Sequence, residues 1–171
     1  PAAKYLSTPA RKRKVCITLE QVVFEGSPDT VPSPAARILL LLHQRQDLYL
    51  ICRCQNRDEE KQYVRGLKEA GLFAAGLPPR RVLFCSTVKG KEAMMRHIEP
   101  DLALDHDAVV VGALAPYVPD AVLVGARTSQ DQVIHASSLE GFFYPNKDVA
   151  KPSSNQEVKR PTGLGVVRNR A

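Results

Sequence analysis

The chain contains no tryptophan, and only 6% of its 171 residues are aromatic. Its apolar runs, such as Ile38 to Leu42, fall far short of the ~20 residues that cross a bilayer. No signal peptide is visible, and the chain starts at Pro1 rather than Met, so it is expected to be a piece of a longer protein. No G-x-G-x-x-G and no G-x-x-x-x-G-K-[ST] occurs, which excludes nucleotide binding by those two routes; Lys89-Gly90-Lys91 is too short to stand in for either. The four cysteines, Cys16, Cys52, Cys54 and Cys85, lack zinc-finger spacing, and each lies in or beside an apolar run. They read as small buried hydrophobes in a reducing compartment, not as a disulfide framework.

Acid is missing from one stretch in particular. Residues 1–14 carry Lys4, Arg11, Lys12, Arg13 and Lys14 and no Asp or Glu. Residues 145–171 are also basic, with six Lys or Arg against Asp148 and Glu157. The net charge of +6 therefore belongs to the two ends, and the body between them is slightly acidic. Basic ends suit nucleic acid or an anionic membrane, or are simply solvated. Nucleic acid fits poorly, because the first end has one ring, Tyr5, and the second has none on which bases could stack.

What remains is a regular alternation. Lys14 to Leu19 has no strongly polar alternate, as expected of a central strand covered on both faces. A loop, 20–33, precedes a largely apolar helix of about 34–45, with Ser33 placed to cap it and Pro34 at its first position. Leu48 to Cys52 is a second strand. A helix of about 58–70 follows, capped by Asn56 or Asp58 and stopped by Gly71. Arg81 to Cys85, Leu102 to Leu104 and Ala121 to Val124 are further strands, and Val133 to Ala136 suits an edge strand. Helices of about 88–98 and 107–115 lie between them. In the first, Ala93, Met94, His97 and Ile98 are expected to face the core. Ser138 caps a last turn, Leu139 to Phe143. The pattern predicts an α/β, Rossmann-like three-layer sandwich with a mainly parallel sheet over 14–143. A basic linker, 1–13, and a disordered tail, 144–171, flank it.

Such sheets collect functional groups past the carboxyl ends of their strands. There the chain places Thr18 and Glu20, then Arg53, Cys54 and Gln55, then Ser86, Thr87, Lys89 and Lys91, then Asp105 and Asp107. This layout resembles the haloacid-dehalogenase-like superfamily. The resemblance implies a nucleophilic Asp at the place of Thr18, a second acid at Glu20, a hydroxyl near Cys54, a lysine at Lys89 or Lys91, and acids at Asp105 and Asp107. A hydroxyl without an adjacent base is a poor substitute for the attacking carboxylate, and it cannot help neutralise Mg²⁺. No residue is therefore assigned a catalytic, cofactor-binding or metal-binding role. Asp105 and Asp107 read as helix caps, the lysines as solvated, and His106 as weak evidence for a site.

Three blocks carry a closer resemblance. Arg81 to Thr87, Arg96 to Leu102 and Ser138 to Phe143 are similar, in order and spacing, to the plant-type peroxisome biogenesis protein 22 family. That resemblance implies a non-catalytic adaptor, tethered by an amino-terminal anchor to the cytosolic face of the peroxisomal membrane. It would recruit and stimulate a peroxisomal ubiquitin-conjugating enzyme, so that the import receptor is monoubiquitinated and recycled. The basic residues 11–14 would then sit in the tether. No cofactor and no nucleic acid is implied. Competing readings are a phosphatase with degenerate motifs and a nucleic-acid binder. The partner surface is not placed. The polar face of helix 58–70 (Glu59, Glu60, Arg65, Lys68) is one candidate. The loop residues Val22, Val23 and Phe24 form another, unless they fold onto the core.

Overall fold

Apolar strands and amphipathic helices alternate along the chain, and a computed structural model shows how they assemble. It describes residues 2–24, 26–126 and 129–145. The strands are β1 (Lys14–Thr18), β2 (Asp47–Arg53), β3 (Val82–Cys85), β4 (Leu102–Asp105), β5 (Asp120–Val124) and β6 (Ile134–Ala136). They form one sheet in the order β3-β2-β1-β4-β5-β6, and every neighbouring pair is parallel. That is the doubly wound order, with β1 at the centre. Val15, Cys16, Ile17 and Thr18 are all fully buried, as a strand covered on both faces must be.

The helices are α1 (Ala3–Leu6), α2 (Ser33–Arg45), α3 (Arg57–Glu69), α4 (Val88–Ile98), α5 (Ala108–Leu114) and α6 (Leu139–Phe143). On one face of the sheet, Val15 and Ile17 pack with Tyr5, Leu39, Leu42, Leu67 and Phe142 from α1, α2, α3 and α6. On the other face, Cys16 packs with Met95, Ile98, Val110 and Leu114 from α4 and α5. The three-layer sandwich read from the sequence is what the chain forms.

Local chemistry sets the helix starts. Asn56 accepts from the backbone of Asp58 and Glu59, Thr87 from Gly90, Asp107 from Val109, and Ser138 from Gly141. Ser33 is not a cap, contrary to expectation. Pro32 holds that place with an extended backbone, its carbonyl accepts from Ala36, and Ser33 opens the helix.

Two further expectations need correction, and one alternative left open is decided. First, residues 1–13 are not simply a linker. Tyr5 is 1% exposed, and its hydroxyl reaches Asp120 Oδ2 at 2.7 Å. The buried side chain of Gln46 donates to the Tyr5 carbonyl and accepts from the Arg13 amide, which pins this segment to the sheet. Second, of the two places open to Val22, Val23 and Phe24, the core is the one they take: all three are buried. Phe24 meets Tyr63 edge-on, with ring centroids 5.0 Å apart. Gly66 permits this: a Cβ there would lie 2.8 Å from the Phe24 ring. Third, His97 and Ala93 are exposed, because Lys91, Met95 and Ile98 form the inward stripe of α4. From residue 146 on, the expected disordered tail lies outside the described residues. Among the described residues, no helix is long and apolar enough to cross a membrane.

Candidate functional site

The parallel sheet brings the ends of β1, β2 and β4 side by side, and α4 aims its first turns at them. Thr18 is the last residue of β1 and Asp105 the last of β4. Just past Glu20 the chain turns back, with Gln21 in a left-handed conformation (φ 62°), unusual outside glycine. That turn lets the Val23 and Phe24 amides donate to the Leu19 carbonyl. The loop then folds inward and carries Glu20 with it.

Lys91 Nζ lies between the two acids, 2.8 Å from Glu20 Oε1 and 2.9 Å from Asp105 Oδ2. The Thr18 hydroxyl donates to Asp105 Oδ2 at 2.6 Å, and the Asp107 amide to Asp105 Oδ1 at 2.8 Å. The Arg53 amide donates to Glu20 Oε2 at 3.2 Å. Thr18, Lys91 and Asp105 are essentially inaccessible. Burial alone pushes the Lys91 ammonium down, but the charges of Asp105 and then Glu20, and their hydrogen bonds, outweigh it and leave the group raised. Lys91 is thus held charged inside the protein, and each carboxylate is satisfied by neighbours in its own chain.

The surrounding groups do not supply a nucleophile. His106 Nδ1 is 3.3 Å from Asp105 Oδ1 but makes no hydrogen bond there. The Cys52 and Cys54 sulfurs are 3.5 Å apart, and Cys85 Sγ donates to the Cys52 carbonyl. Burial, the largest influence on each, pushes Cys54 up to about 11 and raises Cys52 and Cys85 as well. All three therefore stay thiols near neutral pH, and a thiol is a weak nucleophile.

The residues present do not fit a divalent cation of the kind this fold layout implies. Mg²⁺ requires near-octahedral oxygen ligands at about 2.0–2.1 Å. Here the lysine ammonium occupies the space between the two acids, and the threonine hydroxyl is turned to Asp105. Among the described residues, no group of three or more His, Cys, Asp or Glu is arranged to hold a metal ion.

The geometry thus brings together the side chains of Thr18, Glu20, Lys91 and Asp105 from the sequence-derived set, while Arg53 and Asp107 reach them only through their backbone amides. Lys89 is exposed and pairs with Glu92, while Asp107 is only a cap. The cap reading of Asp105 and the solvated reading of Lys91 are both wrong, because the two pair with each other in the interior. Tyr5 was missed as a core residue, since a lone ring among prolines and basic residues has no periodic signal.

Comparison with known proteins decides the family. The model of the family described as "Peroxisome biogenesis protein 22, Haloacid dehydrogenase-like domain" matches residues 7–143. The chain belongs to the peroxisome biogenesis protein 22 family. A relative, the Peroxisome biogenesis protein 22 of Arabidopsis thaliana, is 32% identical over 142 residues, which cover 77% of this chain and 50% of the relative. The chain thus spans about half the length of the curated relative it matches. Among solved structures, the D,D-heptose 1,7-bisphosphate phosphatase of Burkholderia thailandensis is similar, with a TM-score of 0.50 and 14% identity over 82% of this chain and 100% of that one. At that identity the likeness speaks for the fold, and it agrees with the family's haloacid-dehalogenase-like domain. The resemblance read from the three sequence blocks was therefore to the right family.

Proposed function

We propose that this domain is a non-catalytic adaptor in peroxisome biogenesis. It acts at the cytosolic face of the peroxisomal membrane, where it recruits and stimulates a ubiquitin-conjugating enzyme that monoubiquitinates the import receptor for recycling. Family membership supports the setting. The observation that carries the non-catalytic part is the buried Thr18–Asp105–Lys91–Glu20 arrangement. A hydroxyl stands where the fold's attacking carboxylate belongs. Two acids that would otherwise draw a metal are bridged by an internal lysine. A cleft so closed on itself favours docking over turnover.

The test mixes the domain with a peroxisomal ubiquitin-conjugating enzyme, followed by size exclusion and a ubiquitin-discharge assay. The expected result is a one-to-one complex that discharges ubiquitin faster than the enzyme alone. Two unshifted peaks and an unchanged discharge rate would contradict it.

A further inference from the structure

We propose that the face formed by the amino ends of the strands is a docking surface for an anionic phospholipid bilayer. The amino-terminal basic residues are not a free tether. Gln46 and Tyr5 fix their segment beneath the sheet, so that Lys4, Arg11, Lys12, Arg13 and Lys14 wall an open groove of about 830 Å³. Three acids also line it, Asp47, Glu99 and Asp101. Asp47 is paired with Arg81 at 2.9 Å, and Asp101 Oδ2 accepts the Lys14 amide at 2.9 Å. Arg11 and Lys12 remain exposed to solvent.

Across Glu99, which lines this groove and the next cleft, lies a different feature. Tyr117 is 64% exposed, and the Arg96 guanidinium stands 4.2 Å from its ring centroid. Both residues belong to this same end. Arg96 is in the last turn of α4, and Tyr117 precedes β5. An exposed tyrosine beside arginine, next to a basic groove, matches the lipid headgroup region, where amphipathic rings settle and anionic lipid attracts Lys and Arg. With a single largely exposed ring on this face among the described residues, nucleic-acid stacking has little to work with. Bound this way, the domain turns the carboxyl ends of its strands away from the membrane. The inference rests only on the membrane proximity in the proposed function, and its test needs no ubiquitin-conjugating enzyme.

The experiment is co-sedimentation of the full chain with phosphatidylcholine vesicles, with and without phosphatidylserine. Binding is expected only with phosphatidylserine, and it should weaken as salt rises. Arg11→Ala with Lys12→Ala should lower partitioning about 25-fold, taking about fivefold per basic side chain. Tyr117→Ser should cause a smaller loss that persists at high salt. The basic 145–171 end supplies the control: Lys159→Ala with Arg160→Ala should lower partitioning less than the Arg11 and Lys12 pair does. Equal binding to both vesicle types, a greater loss from the Lys159 and Arg160 pair, or tighter binding to a single-stranded oligonucleotide at the same salt would overturn the proposal.

Discussion

The two ends of the sheet treat charge in opposite ways. At the carboxyl ends, Lys91, Glu20 and Asp105 are withdrawn from solvent and satisfy one another within 2.9 Å. At the amino ends, Arg11, Lys12 and Arg96 stand in solvent; nearby, Asp47, Asp120 and Asp101 are held by Arg81, Lys4 and the Lys14 amide, and Glu99 is exposed. In the first region charge is a structural element. In the second it is available to a partner. The contrast points to the amino-end face, away from the cleft, as the one with charge left over for a partner.

The sharpest way to break the comparison is to unbalance the buried end. Lys91→Met leaves two interior carboxylates without their cation, which should cost about 3–5 kcal/mol and lower Tm by about 10 °C. Adding Glu20→Gln should recover part of that loss. Lys89→Met, on the exposed side of the same helix, should shift stability by no more than about 0.5 kcal/mol, measured by urea unfolding.

Alkaline pH gives the next largest effect. Cys54 is held at about 11 against an ordinary 9.0, and Lys91 above an ordinary 10.5. A group whose folded pKa is raised stabilises fully below its unfolded value and loses that contribution as pH climbs through the folded one. Stability should therefore be level up to about pH 9 and fall from there through about pH 11, with Cys54 alone contributing on the order of 2 kcal/mol. Denaturant midpoints across that window check this, and Cys54→Ala should flatten the slope.

Thr18→Val tests the hydroxyl. It removes one donor from buried Asp105 Oδ2 while keeping the shape, and should cost about 1–3 kcal/mol in the urea midpoint. The smallest effect belongs to the other end. Arg11→Ala with Lys12→Ala should leave the unfolding midpoint within about 0.5 kcal/mol of the parent, even where vesicle binding is lost.

Much of this molecule was legible in the chain. The unbroken apolar run at β1 announced a central strand, and Asn56, Asp107 and Ser138 sit where capping chemistry requires. The Thr18-Leu19-Glu20 departure from an acid pair was visible before any coordinates. What stayed hidden were contacts between residues far apart. Lys91 occupies an apolar position of the α4 stripe, so hydropathy turned the helix the wrong way and put His97 inside. Only the side-by-side placement of β1 and β4 reveals that the lysine has buried partners. The Tyr5 anchor likewise depends on Asp120, 115 positions on.

The adaptor function proposed above requires that the cleft bridged by Lys91 perform no phosphoryl chemistry. The most direct test is hydrolysis of p-nitrophenyl phosphate by the full chain with Mg²⁺. The expected rate is no higher than that of buffer with Mg²⁺ alone. Mg²⁺-dependent turnover that disappears in Asp105→Asn would contradict it.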